Sequence, residues 1–282
     1  MVENNRWVKF SSHLILLLGI AAVVFPIYIM VIATTHTGPA LQRPPFPLLP
    51  GDQFFENMKL VLGEGLSTAG APPVALMMFN SMVMALGITI GKIAISLLSA
   101  YAIVYFRFPF RMFFFWLIFI TLMLPVEVRI LPTYGVASSL NLLNSYVGLT
   151  LPLIASATAT FLFRQFFLTI PDELLEAARM DGASPMRFFW DVVLPLSRTN
   201  IAALFVILFI YGWNQYLWPL LVTTDERYYT IVMGIQRMLN VSDTVPVWNA
   251  IMTTAMLGMI PPVIVVLLMQ RLFVKGLVET EK

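Results

Sequence analysis

LLEAARMDGASPMRFFWDVVLPLSR, residues Leu174–Arg198, is the part of this chain that contrasts most with its apolar surroundings. Asp172 and Glu173 come just before it and Glu176 lies within it, and negative charge near a helix N-terminus is stabilising. Gly182 suits the position just past a helix end, and Ser184 followed by Pro185 is typical of a helix start. The stretch therefore predicts a first helix of about three turns and a second helical piece after it.

The composition of the 282-residue chain is that of a membrane protein. The chain is 59% hydrophobic and 11% charged, with a mean hydropathy of +0.84, which is too apolar for a water-soluble core. Apolar runs of about 20 residues can cross a hydrocarbon layer about 30 Å thick as helices. Six such runs predict an all-α membrane protein with one transmembrane domain over residues 1–282. The spans are expected near residues 14–34, 74–105, 112–131, 146–168, 200–222 and 247–272.

The distribution of positive charge predicts the orientation. With the N-terminus in the cytosol, eleven Lys and Arg residues fall on the cytosolic side and five on the other, while Lys92 lies within the second span. Basic residues are enriched in cytosolic loops, so both termini are expected to be cytosolic. The first span is expected to be a retained helix rather than a cleaved signal, because of its length and its internal Pro26. The opening stretch then lies in a cytosolic loop, residues 169–199.

Patterns for catalysis and for metal binding are absent from the sequence. The chain has two histidines and no cysteine, which excludes disulfides, thiolate metal sites and an HExxH motif. The stretch GITIGKI, residues 87–93, has the wrong spacing for a phosphate loop and lacks Ser or Thr after Lys92. We therefore expect no metal, no cofactor and no ATP hydrolysis by this chain alone.

Polar residues recur at one depth in three of the predicted spans. Helix rise places Lys92 about 20 Å from the cytosolic end of the second span. Glu127 and Arg129 come at about 24 and 27 Å in the third span. In the fifth span, Asn214 and Gln215 come at about 22 to 24 Å. Trp213 directly precedes them.

Two interpretations of this polar band remain open. In the first, Lys92 pairs with Glu127 in a structural network that holds the helices together. In the second, the band lines a translocation path in which Lys92 or Arg129 attracts an anionic solute and the amides form hydrogen bonds. Nearby prolines, Pro125, Pro132 and Pro219, predict irregular backbone there, which membrane proteins tolerate where it lines a cavity.

The cytosolic loop also allows two interpretations from its residues alone. Amphipathic helices often lie on the inner leaflet, but such helices usually carry a cationic polar face. The first helix here is led by carboxylates, and Ala177 and Ala178 keep its surface thin enough for close approach by another protein. Composition does not decide between a lipid surface and a protein partner.

Several motifs resemble a known family. EAARMDGA at residues 176–183, followed by VVLP at residues 192–195, resembles the EAA loop of permease subunits of bacterial ATP-binding-cassette (ABC) importers. The resemblance covers almost the whole chain and is to the carbohydrate type, the group of the maltose permease. The further segments that carry it are FNSMVMAL (79–86), SAYAIVYFRFPF (99–110), LPVEVRILP (124–132), WNQYLWPLL (213–221) and QRLFVKGL (270–277).

This resemblance implies a fold, a coupling site and partners. The fold is that of a type I ABC importer permease with six transmembrane helices and a coupling helix between the fourth and fifth. The implied partners are a second, similar permease subunit, two cytosolic ATP-binding subunits that hold the ATP, and a periplasmic solute-binding protein. Membrane lipid surrounds the chain in the bacterial inner membrane, and no nucleic acid is expected. The residues implied for coupling to the ATPase are Glu176, Ala177, Ala178, Asp181, Gly182, Leu194 and Pro195.

The substrate class follows from the resemblance rather than from the residues. Within the group, the chain is most similar to permeases for a phosphorylated polyol, for which Lys92, Glu127, Arg129, Trp213, Asn214 and Gln215 form the candidate path. A permease of the same type for a neutral sugar or oligosaccharide is the alternative. A stand-alone secondary transporter is less favoured, because inverted repeats and an ion-coupling site are not evident. A membrane-embedded enzyme lacks a convergent acid, base or metal set.

Overall fold

The computed structural model describes residues 6–66, 70–240 and 245–278, without the side chains of residues 6, 122, 126, 127 and 271–278. The described chain is built from helices and short connections, with an isolated antiparallel bridge between Leu66 and Ala71. It forms two compact units. One comprises Met1–Ala75 with Gly234–Met259, and the other comprises Leu76–Met233 with Ile260–Lys282.

The α-helices are numbered in chain order, and in the described ranges five short 3-10 or π segments interrupt or extend them. The α-helices are α1 (Arg6–Ala33), α2 (Gly38–Gln42), α3 (Phe54–Lys59), α4 (Val74–Tyr105), α5 (Arg111–Ile120), α6 (Val126–Ser139), α7 (Tyr146–Thr150), α8 (Ala157–Phe167), α9 (Asp172–Met180), α10 (Pro185–Phe188), α11 (Leu194–Leu196), α12 (Arg198–Trp213), α13 (Leu217–Val222), α14 (Ile231–Leu239) and α15 (Trp248–Val278). The 3-10 segments are Thr121–Met123, Leu151–Leu153 and Glu226–Tyr228, and the π segments are Leu60–Glu64 and Phe189–Val193.

Three of the predicted spans are long continuous helices. Trp7–Ala33 within α1, the whole of α4 and Trp248–Gln270 within α15 are each long and apolar enough to cross a membrane. They differ in how much they pack within the chain, because half of the most apolar part of α4 is buried but only 6% of that of α1. α1 therefore presents almost all of its apolar side chains outward.

The other three predicted spans are interrupted, and two of the interruptions lie near Pro125 and Pro219, where irregular backbone is expected. The third is α5, a 3-10 turn and α6, the fourth is α7 and α8 with a bend of 49°, and the fifth is α12 and α13 with a gap at residues 214–216. Proline explains the first two breaks: Pro125 caps α6, and Pro152 lies in the 3-10 turn after α7. Proline lacks the N–H that would continue the helix.

Two of the prolines expected to disturb the backbone lie inside helices. Pro132 is within α6, and Pro219 is the third residue of α13. The N–H groups of a first helical turn have no partner within the helix, so Pro219 fits there without cost. The break in the fifth span therefore falls before Pro219, at Asn214–Tyr216.

Within the second unit, α4 is approached closely by its neighbours at small residues. A Cβ on Gly87 would lie 2.8 Å from Cγ2 of Thr150, and a Cβ on Gly91 would lie 2.6 Å from Cγ2 of Ile154. These glycines belong to the stretch GITIGKI, which is thus a packing surface in the helix. Small residues spaced four apart allow close helix contacts in membranes.

Hydrogen bonds fix the N-terminal part of α4 in the second unit. Asn80 donates to the carbonyl oxygens of Arg227 and Tyr229, each at 2.9 Å, and accepts from the hydroxyl of Tyr146 at 2.8 Å. Ser81 accepts from the backbone N–H of Ile231 at 2.8 Å. Buried polar groups are stable when their partners are supplied in this way. The family-like segment FNSMVMAL therefore contributes the residues that hold the connection between α13 and α14.

Candidate functional site

Two of the helix breaks, the one before α8 and the one after α12, border a cavity of about 400 Å³ in the second unit. Lys92 contributes from α4, Arg129 and Thr133 from α6, and Asn214 and Gln215 from the gap after α12. Residues of the break before α8 also line it. Irregular backbone in a spanning region is tolerated where it lines a cavity, and this cavity has that arrangement.

Lys92 is held in the cavity by an aromatic ring. Its side chain is buried, with 8% of the residue exposed, and its Nζ lies 3.9 Å from the centre of the Tyr211 ring. Such a cation–π contact contributes about 2 kcal/mol or more when it is shielded from water. Among the described side chains no carboxylate forms a salt bridge with Lys92.

The neighbouring polar residues are more exposed than Lys92. Arg129 and Asn214 are exposed, and Gln215 is half-buried, donating to the carbonyl oxygen of Tyr211 at 3.1 Å. The hydroxyl of Thr133 donates to the carbonyl oxygen of Arg129 at 2.7 Å. Among the described side chains no salt bridge involves Arg129, and both Arg129 and Asn214 line the cavity, where a solute can meet them.

The structure brings together four of the six residues predicted for the path. Lys92, Arg129, Asn214 and Gln215 line one cavity. Trp213 does not line it: the residue is 2% exposed, and its ring stacks on Phe209 at 5.9 Å. Residues two apart on a helix point to opposite sides, so a cavity-facing Tyr211 directs Trp213 away. The side chain of Glu127 lies outside the described part of the chain, and its pairing with Lys92 stays a prediction.

Two further cavity residues, Tyr211 and Thr133, are not among those predicted from the sequence. Tyr211 precedes Gln215 by four residues and Thr133 follows Arg129 by four, a spacing that places two residues on one face of a continuous helix. A spacing of four residues from a predicted polar residue could therefore have indicated both Tyr211 and Thr133. Aromatic residues and threonines are common in apolar spans, so neither stands out by residue type alone.

The cytosolic loop contains the two helical pieces that its punctuation predicted. α9 is a nine-residue helix, Asp172–Met180, and Gly182 follows its C-cap with a φ of +69°. The N–H of Gly182 bonds the carbonyl of Arg179 at 3.0 Å, and the N–H of Ala183 bonds the carbonyl of Ala178 at 2.9 Å. This paired arrangement is the Schellman motif, which needs a residue that tolerates positive φ.

The second piece begins at Ser184 and leads directly towards α12. The Ser184 hydroxyl accepts from the N–H of Arg187 at 3.3 Å, and Pro185 follows as the first helical residue. The run Pro185–Leu196 then meets Arg198–Trp213 at a bend of 71°. At the bend the buried Ser197 donates its hydroxyl to the carbonyl of Val193 at 2.6 Å. The loop is thus joined to the helix that carries Tyr211 without a flexible linker.

The two pieces of the loop differ in exposure. Glu176, Ala177, Asp181 and Gly182 are exposed, and Ala178 is half-buried. A groove of about 500 Å³ runs between α9 and α10, with Ala177, Ala178 and Asp181 in its lining. Leu194 and Pro195 are half-buried in α11, away from that groove. The predicted coupling residues therefore fall into two groups: an exposed group on and just after α9, and a half-buried pair in α11.

Comparison with known proteins places the chain among transport permeases. Residues 92–279 match the family described as binding-protein-dependent transport system inner membrane component. Full-length relatives are named sn-glycerol-3-phosphate transport system permease protein UgpE. Identity over 282 residues, with complete coverage of both chains, is 62% for Agrobacterium fabrum, 60% for Salmonella typhi and 59% for Brucella melitensis.

A solved structure supports the fold. The chain superposes on one from the crystal structure of a bacterial ABC transporter involved in the import of the acidic polysaccharide alginate. The TM-score is 0.83 at 20% identity, over 96% of this chain and 98% of that chain. At this identity the likeness concerns the fold alone, which is that of an ABC importer permease. From the family match and the full-length relatives, the chain belongs to the binding-protein-dependent transport system inner membrane components, as a permease subunit of the bacterial inner membrane.

Proposed function

We propose that this chain forms half of the translocation path for sn-glycerol-3-phosphate, or a related glycerophosphodiester, in an ATP-driven importer. The observation that carries the proposal is the cavity beside the breaks before α8 and after α12, which Lys92 and Arg129 line with positively charged side chains. The names of the full-length relatives support the same substrate.

The chemistry of the cavity suits a phosphorylated polyol. A phosphate monoester carries about −1.5 to −2 charge at neutral pH and has three strong acceptor oxygens. Lys92 and Arg129 supply charge-assisted hydrogen bonds to such oxygens, which are stronger than neutral ones. The amides of Asn214 and Gln215 are suited to the hydroxyl groups of a polyol, because an amide both donates and accepts.

Coupling to ATP is assigned to the exposed face of α9. Glu176, Ala177, Ala178, Asp181 and Gly182 form a contact surface for a cytosolic ATP-binding subunit, with Leu194 and Pro195 holding the loop against the helices behind it. ATP binds to that partner, and this chain itself holds no cofactor. The complete importer contains a second permease subunit, two ATP-binding subunits and a periplasmic solute-binding protein.

A competition assay tests the substrate. The complete complex is reconstituted in vesicles with its solute-binding protein, and uptake of labelled sn-glycerol-3-phosphate is measured in the presence of unlabelled phosphate ester or maltose. We expect the phosphate ester, and not maltose, to suppress the labelled uptake. Uptake of a neutral sugar without uptake of sn-glycerol-3-phosphate would contradict the proposal and favour the neutral-sugar alternative.

A further inference from the structure

The C-terminal turn of α4 contacts the start of the second loop helix through one hydroxyl. The Tyr101 hydroxyl donates to the carbonyl oxygen of Pro185 at 2.5 Å. That carbonyl also accepts the backbone N–H of Phe189 in the helix, and a carbonyl oxygen has two lone pairs for two such bonds. Tyr101 is 4% exposed, so water does not compete freely for this bond.

Aromatic rings surround this hydrogen bond. The rings of Tyr101 and Phe189 lie 5.0 Å apart, and those of Tyr105 and Phe188 lie 5.3 Å apart in an edge-to-face arrangement. Phe188 and Phe189 are 2% and 4% exposed and belong to one buried cluster with Tyr101. The loop therefore reaches α4 through a packed aromatic contact, while its α9 face stays exposed.

The same helix carries the cavity lysine. Lys92 and Tyr101 lie nine residues apart on α4, about 14 Å along the axis, and the residues between them include neither proline nor glycine. An α-helix without such a break transmits a displacement as a rigid element. A movement of the loop that is transferred to Tyr101 therefore also displaces Lys92.

We propose that Tyr101 is a positioning residue for coupling, whose hydroxyl holds α4 to the cytosolic loop so that loop movement resets the Lys92 end of the cavity. The inference rests on the proposed function, in which the loop receives the movement of an ATP-binding subunit. Tyr101 does not line the solute cavity, and on the loop side it borders a small pocket together with Ala178 and Pro185. Its role is the connection between the cavity and the loop.

Tyr105 provides a matched control on the same helix. Its hydroxyl donates to the carbonyl oxygen of Phe167 on α8 at 3.4 Å, rather than to the loop. Tyr105→Phe removes a hydroxyl one turn from Tyr101 and leaves the Tyr101 hydrogen bond to Pro185 intact. Any effect specific to Tyr101→Phe then reports the bond to the loop.

The experiment measures transport and ATP hydrolysis in the same vesicles containing the complete importer. We expect Tyr101→Phe to lower the number of sn-glycerol-3-phosphate molecules imported per ATP by about threefold to tenfold, the factor that one neutral hydrogen bond contributes. The KM for sn-glycerol-3-phosphate should not change, and Tyr105→Phe should retain the wild-type ratio. Phe189→Leu, which removes the ring contact from the loop side, should shift the ratio in the same direction.

The outcomes separate this proposal from the proposed function. A wild-type ratio in Tyr101→Phe, or an equal loss in Tyr105→Phe, would overturn the role of the hydroxyl. A Tyr101→Phe complex that fails to assemble would assign the hydroxyl to folding and overturn it as well. If the wild-type importer carries a neutral sugar instead, the proposed substrate is wrong, and the same ratio measured with that sugar still decides the role of Tyr101.

Discussion

The Nζ of Lys92 on α4 lies 3.9 Å from the centre of the Tyr211 ring on α12. The two helices therefore meet in the cavity through a cation and an aromatic face. Among the described side chains, no carboxylate forms a salt bridge with this ammonium. An incoming phosphate can therefore attract the ammonium without displacing such a partner. The contact orders Lys92 and leaves its charge available.

Neutralising Lys92 should weaken the apparent affinity for substrate. In Lys92→Met, we expect the KM for sn-glycerol-3-phosphate to rise about tenfold or more, because a charge-assisted hydrogen bond contributes about 1.5–3 kcal/mol. The measurement is concentration-dependent uptake by the reconstituted importer. Lys59→Met, at an exposed position in α3, is the control and should keep the wild-type KM. An unchanged KM in Lys92→Met would remove Lys92 from the path.

The ring of Tyr211 should matter more than its hydroxyl. Tyr211→Phe keeps an aromatic face beneath Lys92 and is expected to retain uptake close to wild type. Tyr211→Leu removes that face, leaves the buried ammonium without its partner and is expected to lower the melting temperature of the purified complex. Thermal unfolding of both variants in one detergent checks this. Equal behaviour of the Phe and Leu variants would show that the cation–π contact contributes nothing.

The close approach at Gly91 should make this position intolerant of a methyl group. Gly91→Ala places a Cβ 2.6 Å from Ile154 Cγ2, and such overpacking costs about 1–3 kcal/mol. Gly135→Ala in α6, where nothing lies within 4 Å of the new Cβ, is the matched control. We expect a lower melting temperature for Gly91→Ala and an unchanged or slightly higher one for Gly135→Ala, since Ala favours helix over Gly. A Gly91→Ala complex as stable as wild type would contradict the packing role.

Substitutions of Gly182, which follows α9, should act through its backbone conformation rather than through steric clash with neighbouring atoms. Gly182 has a φ of +69°, and a Cβ added to it would meet no atom within 4 Å, so a substitution acts through the strain of positive φ, about 1–2 kcal/mol for most residues. We expect Gly182→Val to hydrolyse ATP with reduced transport, because the helix end and its contact surface are displaced. Gly182→Asn should retain more transport, since Asn tolerates this conformation. The ratio of transport to ATP hydrolysis checks both, and equal ratios in the two variants would exclude a conformational cause.

Three of the six predicted spans are continuous helices in the structure, and the other three are interrupted. Hydropathy locates an apolar segment but does not report where a helix breaks. The prolines predict irregular backbone near Pro125 and Pro219, but they do not predict the exact gap at Asn214–Tyr216. Helix rise predicts a similar depth for Lys92, Arg129, Asn214 and Gln215, and in the structure these four residues line one cavity. The sequence does not show which side of a helix faces a cavity, because that depends on how neighbouring helices pack. It therefore predicts Trp213 for the path and does not single out Tyr211.

The exposure of α1 affects how freely its sequence can change among related proteins. With 6% of its most apolar part buried, α1 is selected for length and hydropathy rather than for a fitted shape. Exchanges among Leu, Ile, Val and Phe along α1 should therefore alter few packing contacts within the chain. α4 is fixed on several sides by glycine contacts and hydrogen bonds, so its side chains must change together or not at all. Related permeases should therefore drift apart first in α1 and last along α4.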